Sequence, residues 1–525
     1  MKKVLLTDPI APAGVDILRE AGLEVIDLSN GSVEEIVEQV GQVHGWIVRS
    51  GTAVDAELLN RADMLQVIGR AGVGIDNIDM QVATLRGVVV MNTPDGNTIS
   101  AAEHTLAMML ALARNIPSSQ AHLSAGGWDR NALAGVELQG KTVGIIGLGR
   151  IGQRLMHYVR ALDMQVLAYD PYAPVDPIKA GEVDRVPLDE LLRRADFVTL
   201  HVPRTNETAN MINSERLALM QPSARLINCA RGGLIDELAL AEALTAGALA
   251  GAALDVFAEE PLAKDHPLRR APNLVMTPHL GASTHEAQQG VALAICSQVA
   301  EFLTTGAAAS ALNMPVSDME VMKRLEPFLQ LGATMGALVW QLSDGAIQEI
   351  EVTCTGQVES PDLLALAAVR GVLEQILDTR INYVNTAAVA QERGIRFTYS
   401  VDTGERGYAN LLRVVLTTDK EVRSMAGSVF GGRHPRIVEI EGYHLELNPE
   451  GVMLFIRNRD EPGVLGRITT ALGDAGINIG EALLSRERKA DQAYLVIKVD
   501  SDPLAETIAG LQDVDGILTI QKVRV

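Results

Sequence analysis

Short apolar runs alternate with amphipathic stretches along the first part of the chain. VLLTD, LEVID, GWIVRS, QVIGRAG and VVVMN, all before residue 97, read as buried strands separated by helices. That rhythm predicts a parallel sheet with crossover helices. Residues 101–114, rich in Ala, Leu and Met, read as a helix leading into a second unit. There the strand Thr142–Ile146, a helix and the strand Gln165–Tyr169 are followed by strands at FVTLHVP, ARLINCA, GAALDVF and LVMTPHL. Two such units in succession predict a cleft between them, with ligands at the carboxyl ends of the strands. The pattern breaks at Asn313, Met314 and Pro315. Beyond it, helices at 324–342 and 361–378 and strands near 347–354, 396–401 and 411–417 read as a mixed domain. The segment 452–525 reads strand–helix–strand–strand–helix–strand, with a strand near 493–499 and a helix near 503–511, a ferredoxin-like order.

The glycine turn after the strand Thr142–Ile146 carries the strongest chemistry. Gly147-x-Gly149-x-x-Gly152 opens a helix, and the next strand ends in Asp170. Gly147 permits the tight turn, Gly149 leaves the backbone open to a pyrophosphate, and Gly152 lets the helix pack closely on the sheet. The helix N-terminus adds free N–H groups and a partial positive charge. Asp170 follows Gly152 by 18 residues, where a carboxylate accepts from ribose hydroxyls and repels a 2′-phosphate. Pro171 and Tyr172 follow it, not Arg. The pattern predicts NAD over NADP.

Composition narrows the remaining classes. The chain has 525 residues, 47% hydrophobic and 21% charged, enough for three or four soluble domains. A net charge of −21 argues against a nucleic-acid surface, so an anionic substrate must be held by local positive groups. Cys229, Cys296 and Cys354 are far apart and form no metal-ligand spacing, which predicts a reduced chain without a metal site. The residues after Met1 do not read as a signal peptide, and the apolar helix near Met108 is too short and too charged to span a bilayer. A cytoplasmic protein off the membrane is expected.

Three segments place polar groups at predicted strand ends. Asn228-Cys229-Ala230-Arg231-Gly232-Gly233 can present the Arg231 guanidinium to the cleft, where its fork would bind a carboxylate through two hydrogen bonds. The alternative is a structural arginine pairing an acid at the domain edge. Asp255 to Pro261 contains Glu260, and Thr277 to Ala282 contains His279. A histidine in an apolar segment is commonly a packed or capping group, but a Glu beside His279 would raise its pKa for acid–base work.

These segments resemble the D-isomer-specific 2-hydroxyacid dehydrogenases and, within them, the D-3-phosphoglycerate dehydrogenases. The resemblance runs through VRSGT, RAGVGIDNID, NTPDGNTISAAEHT, GLGRIG with Asp170, LHVP, NCARGG, ALDVFAEEP and TPHLGAST, across almost all of residues 1–313. It implies two Rossmann-like or flavodoxin-like lobes: a substrate-binding lobe of 1–96 with 285–313, and an NAD-binding lobe of 97–284. A mixed intervening domain (317–450) and an ACT domain (452–525) would follow. Arg231, Glu260 and His279 would be catalytic. Gly147, Gly149, Arg150, Ile151, Gly152, Asp170, Ala230, Asp255 and Gly281 would bind NAD. Arg49, Ser50, Val73, Gly74 and Asn97 would line the substrate site, with Arg49 on a phosphate. His104 is expected to pack, and His201 to lie near the cofactor without acting.

The implied reaction is oxidation of D-3-phosphoglycerate to 3-phosphohydroxypyruvate, the entry to L-serine synthesis. The ACT-like tail implies an amino-acid effector, L-serine, held by Asp460 and Asn478 in a homotetramer. The basic spot at Arg433, His434, Pro435 and Arg436 reads as a solvated loop. Glyoxylate or hydroxypyruvate reductases share the catalytic motifs but not the long tail. NAD-dependent corepressors, which use this fold as a binding module, resemble only residues 1–313.

Overall fold

The computed structural model describes the chain except residues 173–182, 309, 316–318, 357, 403, 405–406 and 487–490. Residue 317, the expected start of the third domain, lies outside the described residues. The first lobe is a five-stranded sheet in which every pairing is parallel, with the second strand outside the first and the third to fifth following on its other side. Its strands Gly45–Val48 and Val89–Met91 are buried on both faces, as a sheet covered by helices on each side requires. The long helix His285–Thr305 returns from the second lobe to pack on this sheet, burying Ile295, Cys296 and Val299.

The second lobe is a seven-stranded sheet, all parallel in its pairings, built outward from the strand Thr142–Ile146. The chain runs to one side of this strand first and then reverses to the other. This creates a topological switch point at its carboxyl end, where α/β folds bind ligands. The helix expected at 101–114 starts earlier, at Thr98, and runs to Ala113. Its Ala, Met and Leu side chains pack on the second sheet, so its first turn lies beside the cleft.

The third domain holds more sheet than its hydrophobic pattern predicts. Helices Met319–Gln341 and Pro361–Leu373 cover a six-stranded sheet that includes Val422–Phe430, His434–Ile440 and Tyr443–Leu447. The expected loop at 433–436 is therefore corrected: Arg433 sits at a hairpin turn and the strand starts at His434. Arg436 donates to the Pro435 carbonyl at 2.8 Å and to Asn448 Oδ1 at 3.2 Å, so it is built into the hairpin. The second helix ends at Leu373, five residues before the expected 378.

The tail forms the expected ferredoxin-like sheet, and one of its faces is not independent. Met453, Phe455, Tyr494, Val496 and Val523 share a core with Val429, Ile437 and Leu447 of the intervening domain. Tyr494 stacks at 5.3 Å from Tyr443 between ring centroids.

The two long helices of the third domain meet through small residues. A Cβ at Gly336 would stand 2.0 Å from the Ala368 carbonyl oxygen, and one at Gly371 would stand 2.0 Å from that of Ala333. Neither backbone can yield without moving its helix. Gly336→Ala should therefore cost about 1–3 kcal/mol through overpacking, read as a lower denaturant midpoint. An unchanged midpoint would show that the helices can part at no cost.

Candidate active site

Both lobes present the carboxyl ends of their strands to a cavity of about 750 Å³. The turn after the strand Arg225–Asn228 carries Arg231 into it. Buried Asn228 shapes that turn, accepting from the Ala230 N–H at 3.0 Å and donating to the Arg231 carbonyl at 2.8 Å. Gly232 then passes so close to the neighbouring segment that a Cβ would be 1.7 Å from the Phe257 carbonyl oxygen. This contact sets the arginine turn against the loop that holds Glu260. Glu260 Oε1 accepts from the Phe257 N–H at 3.0 Å, while its Oε2 lies 2.8 Å from His279 Nδ1.

That pair defines the proton chemistry available. Hydrogen bonding to Glu260 raises the His279 pKa above its ordinary value, against the opposing effect of burial. Burial works against Glu260 ionisation, but the His279 bond and the Phe257 N–H hold its carboxyl below the usual range. With Nδ1–H donating to Glu260, Nε2 is the nitrogen left to exchange a proton. His279 itself holds φ +55°, a conformation uncommon for a residue with a side chain, directly after Pro278.

Asp255, fully buried, holds this segment in place. Its carboxylate accepts from Thr277 Oγ1 at 2.6 Å, the Leu280 N–H at 2.7 Å and the Gly281 N–H at 2.8 Å. His104 Nε2 stands 3.1 Å from Asp255 Oδ1 and 3.2 Å from Thr277 Oγ1. His104, expected to pack rather than to catalyse, also makes these two polar contacts. Its polar role was hidden because its partners lie more than 150 residues away in sequence. Burial pushes the nearby Cys229 thiol up to about 12, with Asp255 adding to the shift, so it stays protonated.

The glycine turn fits a dinucleotide. A Cβ at Gly147 would be 2.5 Å from the His201 carbonyl oxygen, and one at Gly152 would be 2.1 Å from that of Gly147. At Gly149 it would meet no protein atom within 4 Å, so the backbone is bare on the side a pyrophosphate would approach. Asp170 accepts from the Leu148 N–H at 2.8 Å and the Tyr172 N–H at 2.9 Å, which orients its carboxylate beside the turn. Arg150, in the first helical turn, pairs with Asp95 at 2.7 Å. His201 is half-buried beside Thr199, and desolvation brings its pKa down to about 4, so its ring is neutral.

Arg49, Ser50, Val73, Gly74 and Asn97 all line the same cavity, as do Arg231, Glu260 and His279. Asp8 accepts from the Arg49 and Thr52 N–H groups at 2.7 and 3.2 Å, and Asn77 donates to the Arg49 and Thr52 carbonyls at 2.7 and 2.6 Å. Among the described residues, the Asn97 Oδ1 is buried without a hydrogen-bond partner. Sequence reasoning missed Arg204 and two residues of one motif that line the cavity. Arg70 is partly buried, and among the described residues its Nε lacks a partner; burial and then the charges of Arg231 and Arg49 push its pKa down to about 10. Asp76 bonds Arg231 Nε at 3.1 Å from the opposite lobe. RAGVGIDNID holds both, but nothing local says that they turn inward.

The structure does not bring Asp460 and Asn478 together. Asp460 follows the strand Val452–Arg459 at one end of the tail sheet, pairing with Arg486 at 3.2 Å. Asn478 bonds Asp500 beside the other end, where Val452 pairs with Val499.

Residues 106–281 match the NAD-binding domain of the D-isomer specific 2-hydroxyacid dehydrogenases. Residues 324–441 match the D-3-phosphoglycerate dehydrogenase intervening domain, and 452–516 match the ACT domain. The chain is 41% identical to the D-3-phosphoglycerate dehydrogenase of Methanocaldococcus jannaschii, covering 98% of each chain. Among solved structures it resembles the TT0316 protein of Thermus thermophilus, at 37% identity and TM-score 0.55, over 59% of this chain and 99% of that one. It also resembles the Aquifex aeolicus D-lactate dehydrogenase complexed with NAD and lactic acid, at 30% identity and TM-score 0.52, over 58% of this chain and 96% of that one. The chain belongs to the D-3-phosphoglycerate dehydrogenases, within the D-isomer specific 2-hydroxyacid dehydrogenase family.

Proposed function

We propose that this protein oxidises D-3-phosphoglycerate with NAD+ to 3-phosphohydroxypyruvate, opening L-serine synthesis. The observation that carries the reading is one cavity holding the Glu260–His279 pair and four guanidinium groups, Arg49, Arg70, Arg204 and Arg231. Gly149, the first turn of the helix Arg150–Ala161 and Asp170 would hold the dinucleotide, which supplies the hydride acceptor when bound. Ile151, Ala230 and Gly281 would complete the same cofactor wall, with Asp255 buried behind it. Arg231 would polarise the C2 oxygen and hold the carboxylate. His279 Nε2 would take the hydroxyl proton while Glu260 stabilises the imidazolium. Arg49 and Arg70 would hold the phosphate. The match of the intervening and ACT domains favours this substrate over glyoxylate or hydroxypyruvate. A nicotinamide absorbance assay comparing phosphohydroxypyruvate, hydroxypyruvate, glyoxylate and 2-oxoglutarate tests the choice; faster turnover of glyoxylate would overturn it.

The tail and the surface carry finer readings. L-Serine is the proposed effector, with Asp460 of one copy and Asn478 of another forming each site. A homotetramer in the cytoplasm is the proposed assembly. Ile116, Leu123 and Trp128 are exposed on and beyond the helix Ile116–Ser124, a surface suited to a second copy.

His279→Ala should lower turnover roughly 10²–10⁴-fold while NADH binding, followed by fluorescence, is retained. Half of parental activity would remove His279 from the mechanism. In the oxidative direction His279 must be neutral to accept a proton, so activity rises as pH climbs through its raised pKa. Glu260→Gln removes the charge that raises it, so this acidic limb should move to lower pH. An unmoved limb would dissociate the pair.

Arg70→Gln should raise KM for phosphohydroxypyruvate about 10–100-fold, the scale of losing a hydrogen bond to a charged group. Hydroxypyruvate, lacking the phosphate, should suffer far less. An equal loss on both substrates would place Arg70 elsewhere.

Asn478→Ala should abolish inhibition by serine. Calorimetry showing no serine binding to the parent protein at millimolar concentration would leave the tail as an assembly element.

A further inference from the structure

Arg231 is pinned at two corners, one from each lobe. Its Nη1 donates to its own Ala230 carbonyl at 2.7 Å, within the second lobe. Its Nε donates to Asp76 Oδ2 at 3.1 Å, across the cleft. Among the described residues only Nη2 carries no protein hydrogen bond. Gly74 keeps that corner clear: a Cβ there would stand 2.2 Å from Nη2 and 3.0 Å from Asp76 Oδ2. Asp76 takes Nε in this arrangement, so the expected two-pronged grip on a carboxylate would have to come from the Nη groups.

We infer that Asp76 is a positioning residue for the reaction: it clamps the guanidinium of Arg231 from the opposite lobe, so that Nη2 is aimed at the substrate only when the lobes are together. The inference rests on the assignment of Arg231 under the proposed function. An unclamped arginine side chain samples many rotamers, and holding it beforehand removes that ordering from the catalytic step. The contact also explains why an acid stands in an anion pocket. Asp76 itself is 65% exposed, so its ion pair adds little to the stability of the fold, and orientation is what it supplies. It also favours the charged form of Arg70.

The test is steady-state kinetics of Asp76→Ala, Asp76→Asn and Asp76→Glu, with NADH affinity measured by fluorescence on each. Asp76→Ala should lower kcat at least ~10-fold with NADH affinity within about twofold of the parent. Asp76→Asn, which keeps an acceptor oxygen, should recover part of the loss. The acidic limb assigned to His279 should not move in any of the three. Parental kcat in Asp76→Ala would overturn the inference, as would a lower KM at unchanged kcat, which would make Asp76 a placeholder that substrate displaces. A matching loss of NADH affinity would reduce it to a structural contact. Arg231→Ala is the control: if it stays active, the assignment of Arg231 fails, and the clamp is then judged on a residue without a role.

Discussion

The site depends on one buried carboxylate. Asp255 directly follows the strand Gly251–Leu254 of the second sheet with no exposed surface, and an ion there is tolerable only if its lone pairs are used. They are, by a threonine hydroxyl, two backbone N–H groups and a histidine. Its backbone carbonyl also accepts from the His279 N–H at 2.8 Å. The same residue thus sets the path of residues 277–281 and fixes the backbone of His279 in its left-handed conformation. Glu260 then only has to meet an imidazole already aimed. Helix Thr98–Ala113 joins the scheme through His104, so the connection between the lobes is tied to the proton-transfer residues.

Electrostatics completes the arrangement. A chain of net charge −21 repels anions at long range, and screening confines that repulsion to about 10 Å at ordinary salt. Arg49, Arg70 and Arg231 gather at the cavity, where low-dielectric walls concentrate their field. The cost is visible in Arg70, whose burial beside two like charges depresses its pKa. Asp76 and Asp8 offset part of it.

What the sequence made legible was what is local. The glycine turn, the alternation of strands and helices, and the strand-end motifs around Arg231, Glu260 and His279 each depend on neighbours a few residues away. Asp76, Arg70 and His104 act through partners far along the chain, and no periodicity records which side chain turns inward from a loop. The strands Val422–Phe430 and His434–Ile440 were missed for a related reason. Their buried positions face helices on one side, and Gly431 and Gly432 between them, with Pro435 inside the second, read as loop chemistry. Glycines at 431 and 432, at φ +59° and +71°, instead make the tight hairpin.

The shared core of the tail and the intervening domain changes how control of the enzyme has to be reasoned. Cutting the chain near Gly451 would remove Phe455, Tyr494 and Val523 from a core that also holds Val429 and Leu447. Loss of response in such a truncation would then report unfolding as readily as loss of an effector site, so point changes at the sheet ends are the informative ones. The intervening domain is in turn keyed to the first lobe. Asn382 and Asn385 donate to the Gly87 and Leu85 carbonyls at 2.8 and 3.3 Å, and Val384 enters the first lobe's core. The helix Met80–Leu85 that receives them follows directly from the loop of Asp76. Contact is therefore continuous from the tail to the residue opposite Arg231. Continuity alone transmits nothing: a ligand on the tail alters the cleft only by binding one arrangement of these bodies more tightly than another. The cross-cleft ion pairs Arg231–Asp76 and Arg150–Asp95 are the contacts that such a rearrangement of the lobes would make or break.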